Sequence, residues 1–266
     1  PRLRDRHPDL RLLTKPVVDT LALSPLAFPE NPYHRLVKDY QLVRDSLNDP
    51  AQDAVLAGRI FSEQWQALVR QLDLRQETPL FSRSFLQTDP ALGGTAQALA
   101  AMGIPALAGD DLYQAFARYA AKSSCRKAVG AIVDQLMDGE LDQPQFAYLC
   151  AWLSVAGGNS VLPPWVRHRY PQISSLLHRL REIPCGSPDC PYCRRHHDPH
   201  LFLKRFFGFD TFRETPATAE GKSLQAEIVR AAAANRSLFA TLPTGGGKSL
   251  CYLLPALMRY RRRNLL

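Results

Sequence analysis

The heptapeptide PTGGGKS, residues 243–249, combines features that together grip a phosphate. Gly245, Gly246 and Gly247 carry no Cβ to hold the backbone away from an anion, so successive N–H groups beside Thr244 can converge on its oxygens. The apolar run Leu238-Phe239-Ala240 before the turn predicts a buried strand over residues 237–242, and residues 248–261 read as a helix. A strand, a glycine turn and a helix N-terminus make an anion site. Lys248 would reach the β- and γ-phosphates of a nucleotide, and the Ser249 hydroxyl would hold Mg²⁺. The general form GxxxxGK[ST] opens on a glycine where this chain has Leu242.

A second chemical cluster is CGSPDCPYCRRHHDPH, residues 185–200. Cys185, Cys190 and Cys193 stand as C-x4-C-x2-C, followed by His196, His197 and His200. Three thiolates and one imidazole predict a tetrahedral Zn²⁺, with His196 as fourth ligand and His200 as the alternative. With every position filled by protein the role would be structural, and the ion would supply folding energy that so short a loop cannot draw from a core. The competing reading is a loop of free thiols beside a solvated basic patch. Three clustered cysteines without an export signal favour metal over disulfides, hence a reducing cytoplasmic setting. Cys125 and Cys150 fall on helical faces and read as buried small apolar residues.

The elements that must position these residues are mainly helical. Helical patterns cover residues 35–46, 49–72, 110–122, 126–137, 144–155 and 172–181. In 49–72 the stripe is Val55, Leu56, Ile60, Phe61, Trp65 and Leu68. A second strand candidate spans residues 10–18. Turn residues divide the chain into 1–76, 77–183, 184–203 and 204–266, a mostly α protein with small α/β pieces. The hydrophobic content of 45% is that of a soluble globular protein, and no stretch approaches the roughly 18 apolar residues of a membrane span. A net charge of +8 favours a polyanionic partner. Trp152, Trp165 and Tyr170 interleave with Arg167, His168, Arg169, Arg179 and Arg181. That set suits either stacking on single-stranded nucleic acid or the core of a helical spacer.

Around the glycine loop the stretches LKRFFGFDTFR (203–213), SLQAEIVRAA and LFATLPTGGGKSLCYLLPAL resemble the start of a RecQ-family helicase of superfamily 2. In that family an FGF/Y…FR segment and a glutamine precede PTGGGKS, an LCYxLPAL-like run follows, and the first loop glycine is commonly replaced. The resemblance implies a P-loop, RecA-like ATPase domain beginning near residue 204, with ATP and Mg²⁺ as cofactors and DNA as partner. Phe209, Phe212 and Arg213 would frame the adenine, and Gln225 would read its edge. Twelve positions separate Arg213 from Gln225, so ETPATAEGKSL reads as an insertion. No DExH box follows the loop, and the chain opens on Pro1. It reads as an excerpt of a longer enzyme, able to bind the nucleotide but not to hydrolyse it.

Near the start, Val17-Val18-Asp19-Thr20-Leu21, His34-Arg35-Leu36 and SLNDPAQDAVLAGRIF resemble the closing part of a DEDD-type 3′–5′ exonuclease. The resemblance makes Asp53 a nuclease metal ligand. In the branch whose last motif is H-x4-D, Asn48 stands where the histidine base would be, and a neutral amide cannot take the proton of an attacking water. Alternatively, Asp53 is a first-turn carboxylate favoured by the helix dipole. The alternatives to a helicase are therefore an exonuclease with an accessory P-loop segment and a non-enzymatic zinc and helical DNA-docking module.

Overall fold

QFAYLCAWLS is apolar around its whole circumference, and such a helix must be surrounded on every side. In the computed structural model, which describes residues 15–31, 50–155, 162–234 and 236–263, this stretch is the central helix. Every residue from Gln145 to Leu153 is buried. The helices are α1 (Thr20–Ala27), α2 (Pro50–Asp73), α3 (Thr78–Leu86), α4 (Gly93–Ala101), α5 (Gly109–Ala120), α6 (Arg126–Met137), α7 (Gln145–Ser154), α8 (Pro164–Arg169) and α9 (Ile173–Arg181). They are followed by α10 (Pro191–His197), α11 (Pro199–Phe207), α12 (Leu224–Ala233) and α13 (Lys248–Arg263).

The protein is mostly helical, and β-pairing among the described residues is confined to one isolated bridge between Ala217 and Ser223. Both strand candidates are therefore corrected where they are described. Residues 16–18 run as irregular chain, and residues 237–242 are unpaired, with Leu242 buried but Phe239 94% exposed. A strand needs a neighbour to bond its N–H and C=O groups, and no described segment offers one. The expected helix at 35–46, together with His34 and Asn48, lies outside the described residues.

One apolar core runs from Ala22 to Leu180, so α1 and α2 share it with α3–α9. Phe85, Phe116 and Phe146 meet there with ring centroids 5.1 to 6.1 Å apart. Two buried glutamines tie α2 to α1. Gln64 of α2 donates to Thr20 O at 2.8 Å, and Gln71 donates to Leu26 O and Ala27 O at 3.1 and 3.0 Å. The latter two carbonyls belong to the last turn of α1, which its own backbone leaves without partners. The stripe read on α2 thus fits only in part. Its buried face includes two glutamines, whereas Val55 is 58% exposed.

Helix α3 carries no obvious apolar signature in TPLFSRSFL, yet most of it is buried. Ser82 and Ser84 donate their hydroxyls to Thr78 O and Leu80 O at 2.9 and 2.7 Å, which hides their polarity within the helix. On α4, a Cβ at Gly94 would stand 2.1 Å from Val17 O, so only glycine lets the Val17 backbone lie there. The interleaved aromatics serve the core. Trp152 and Tyr170 are buried, Trp165 meets Tyr148 edge-on at 5.4 Å, and the Arg181 guanidinium lies 4.9 Å from the Trp152 ring centre.

Asp89 ties the turn after α3 to the end of α8. Its Oδ1 accepts the Ala91 N–H at 2.9 Å, and its Oδ2 accepts from Arg169 at 2.6 Å and from the Tyr170 hydroxyl at 3.1 Å. Burial works to raise its pKa, but the Arg169 guanidinium and the Ala91 N–H outweigh it and hold the carboxyl below its usual value. A depressed folded pKa contributes stability above the unfolded carboxylate's pKa, and that contribution is lost as pH falls through the folded one. Asp89→Ala should therefore cost about 1–2 kcal/mol at neutral pH in urea unfolding. The gap from wild type should shrink in acid, and a gap independent of pH would contradict this role.

Candidate nucleotide site and cysteine cluster

The loop at residues 243–249 rests on a small second core built by Phe202 and Leu203 of α11, Phe212, Ala226 and Val229 of α12, and Leu250, Leu254 and Met258 of α13. The α13 residues recur every four positions, so one face of that helix is buried and its N-terminus is fixed beside the loop. Helix α11 is delimited by local chemistry. Asp198 accepts the His200 N–H at 2.9 Å, Pro199 occupies the first turn, and Gly208 ends the helix in the left-handed region at φ 71°.

Arg213, Gln225 and the glycine loop form one hydrogen-bonded clasp. Gln225 is 3% exposed; its Oε1 accepts the Arg213 N–H at 3.2 Å, and its Nε2 donates to Gly247 O at 3.2 Å. The Arg213 guanidinium donates to Gly245 O. Ser223 caps α12 by accepting the Ala226 N–H at 3.2 Å and donates its own hydroxyl to Arg213 O at 2.6 Å. The insertion closes on itself between these anchors, with Thr218 N–H bonded to Lys222 O at 2.7 Å and Leu224 N–H to Pro216 O at 3.0 Å. Residues twelve apart in sequence are thereby returned to contact.

The loop fits a phosphate cradle. Gly245 and Gly247 have φ of 80° and 75°, and a Cβ on Gly247 would lie 2.3 Å from Gln225 Nε2. Gly246 is buried and donates its N–H to Pro243 O at 3.0 Å. Lys248 and Ser249 are exposed in the first turn of α13, where helix N–H groups have no intrahelical acceptor. A cleft of ≈ 610 Å³ reaches Lys248 from between residues 236–242 and the Cys251 side of α13. Phe209 is 56% exposed, while Phe212 is buried with its ring 5.0 Å from that of His200. The sequence expects Gln225 to read a base edge. Here its amide oxygen and nitrogen both hold protein backbone.

In the cysteine cluster the fourth sulfur comes from an unforeseen place. The Sγ atoms of Cys125, Cys185, Cys190 and Cys193 all lie within 4.8 Å of one another, a group that could hold a metal ion. Cys125, the residue before α6, is fully buried as expected, and in the sulfur group it stands where the sequence expects His196. His196 instead stacks on Tyr192 at 4.5 Å, and His200 starts α11 against Phe212. Burial opposes ionisation of Cys190, but the Cys193 N–H and the neighbouring thiols draw its pKa down to about 7. Burial pushes the Cys125 and Cys193 thiols up. Cys150 matches its expectation, fully buried beneath the core with its thiol pKa well raised by burial.

Asp53 lies half-buried in the first turn of α2. Among the described residues, the cysteines are the group of three or more potential ligands placed to share an ion, and Asp53 is not in it. No described helix is long and apolar enough to cross a membrane.

No protein-family model matches the chain, and no solved structure matches it. Short stretches are similar to curated helicases. The ATP-dependent DNA helicase Q1 of Rattus norvegicus is 58% identical over 36 residues, 14% of this chain and 6% of that protein. The ATP-dependent DNA helicase RecQ of Synechocystis is 41% identical over 56 residues, 21% of this chain and 10% of that protein. The ATP-dependent DNA helicase Q5 of Mus musculus is 46% identical over 56 residues, 21% of this chain and 5% of that protein. The chain thus spans a tenth or less of the length of these relatives, and over that stretch it is related to RecQ-type helicases.

The clasp makes a measurable demand on Gln225. Gln225→Ala would leave the Arg213 N–H without its acceptor and remove one donor from the Gly247 carbonyl, which keeps the Leu250 N–H at 3.2 Å, and should lower stability by about 1–3 kcal/mol. Gly247→Ala, which meets both a positive φ and the Gln225 amide, should lower it by at least about 1 kcal/mol. An unchanged urea midpoint in both variants would show that the clasp adds nothing.

Proposed function

We propose that residues 204–263 form the front of an ATP-dependent DNA helicase motor of RecQ type, with the nucleotide held at the glycine loop. The observation that carries this reading is the clasp itself. It joins an FR segment, a buried glutamine and PTGGGKS, the motifs by which the sequence resembles RecQ-type helicases. In this reading loop N–H groups other than that of Gly246, which bonds Pro243 O, would meet the phosphates, the Lys248 ammonium would offset their charge, and the Ser249 hydroxyl would hold Mg²⁺. Phe209 would border the adenine, and Gln225 and Arg213 would keep the loop in its binding conformation through their bonds to Gly247 O and Gly245 O. Bound ATP would supply the phosphoanhydride whose cleavage drives movement along DNA.

Gln225 and Arg213 both touch backbone carbonyls of the phosphate loop. Filling the cradle would therefore be felt directly at the FR segment and at α12. Binding energy used to reshape this clasp could be passed to the rest of the motor. The thiol cluster lies ahead of the motor and would hold a metal in a supporting role. An exonuclease centred on Asp53 has no comparable gathering of groups among the described residues.

Lys248→Ala in the full-length protein should reduce DNA-stimulated ATP hydrolysis by at least about 100-fold, the scale of removing a preorganised charge from a developing anion. Folding should be unchanged, because the side chain is exposed. Hydrolysis at the wild-type rate would refute the assignment of the loop as the motor's ATP site.

A further inference from the structure

We propose that Cys125, Cys185, Cys190 and Cys193 bind one Zn²⁺ through four thiolates, and that this ion fastens the helical module to the entrance of the nucleotide-binding module. The geometry is that of a single tetrahedral ion. Four sulfurs at about 2.3 Å from zinc stand about 3.8 Å from one another. Cys193 and Cys185 are 3.6 Å apart, Cys125 and Cys190 are 3.9 Å apart, and every pair lies within 4.8 Å. A disulfide needs sulfurs about 2.05 Å apart, so either pair would have to collapse and break the even spacing of the four. An iron–sulfur cluster would place several atoms between the thiolates and spread them.

The surroundings point the same way. Cys125, Cys190 and Cys193 are buried, yet among the described residues the apolar groups packed with them are few: Ala128, Tyr192 and the partly buried Cys185. So small a cluster cannot order the loop by burial alone. The Cys185 N–H already points at Cys193 Sγ at 3.4 Å, an outer hydrogen bond of the kind that orients a thiolate. Arg126 and Lys127 follow Cys125, and Arg194 and Arg195 follow Cys193. They offset the net double negative charge of zinc with four thiolates. Soft sulfur donors select zinc over hard cations, and four of them leave no open position for water, so the role is structural.

The joint follows from where the ligands come from. Cys125 stands at the start of α6, and its N–H bonds Leu180 O at 3.0 Å, so α6 and α9 are already tied beside the ion. Cys190 and Cys193 belong to α10, which packs on α13 behind the glycine loop. Ligands 65 residues apart in sequence would thus hold the two modules in one arrangement. This site stands independently of the helicase reading.

The test is metal analysis of the purified chain, with Co²⁺ substituted for Zn²⁺ as a spectroscopic probe. About one equivalent of zinc is expected. It should be lost in Cys125→Ser and Cys190→Ser and kept in His196→Ala. The Co²⁺ form of the wild type should show tetrahedral d–d bands and sulfur-to-metal absorption of four-thiolate intensity. Because this last measurement needs no variant, it decides the ligand set even if Cys125→Ser fails to fold. Chelation should speed proteolytic cleavage within residues 182–199 while the helical circular dichroism of α1–α9 persists. Retention of zinc in Cys125→Ser with loss in His196→Ala, an iron chromophore, a disulfide, or four freely alkylated thiols without metal would each overturn the proposal.

Discussion

The burial of α7 is the constraint on which most of the molecule depends. A helix with nine consecutive buried residues has no face to give to water, so helices must be laid against all of its sides. Helices α1, α3 and α9 pack directly on it, and the others complete the shell. Some of the polar groups caught inside are paired across long sequence distances, whereas Thr95 Oγ1, Ser124 Oγ and Gln145 Oε1 are buried without a hydrogen-bond partner. Tyr148 bonds Ala22 O at 3.2 Å, and Tyr119 bonds Cys150 O at 2.8 Å. These bonds fix which helix lies where, because an unpaired buried group would cost about as much as several apolar contacts gain.

The module around the glycine loop has a much smaller core and relies on polar fastening. Its loop is held by side chains that bond loop carbonyls, leaving exposed the groups a phosphate would meet. The self-closing insertion between Arg213 and Gln225 shows how such a site survives added chain. Only the two ends need to stay together, and Ser223 and Gln225 bond both to the FR segment. Loop closure costs little more as a loop lengthens, so the insertion is tolerated.

Between the two cores lies the thiol cluster. It is the place where the helical module and the α10–α13 region share side chains at close range, through Cys125 on one side and Cys190 and Cys193 on the other. The tyrosine and histidines of α10 support it from outside. Tyr192 stacks with His196 and donates its hydroxyl to Arg181 O at 3.3 Å, which links α10 to the end of α9.

Much of this was legible from residue order alone. Several helices were set by apolar periodicity, and the glycine loop by its composition, because each of these signals acts within a few residues. Three cysteines of the cluster were legible for the same reason. Tertiary structure alone decided what crosses the chain. Cys125 joins the cluster because α6 and α9 meet, and no local spacing encodes that meeting. Burial of α3 depends on serine hydroxyls turning back onto their own helix. Gln225 is drawn into the loop although an insertion stands between it and Arg213. The stretch 237–242 has a strand's composition but no described neighbour to pair with, since composition supplies a preference and pairing supplies the bonds.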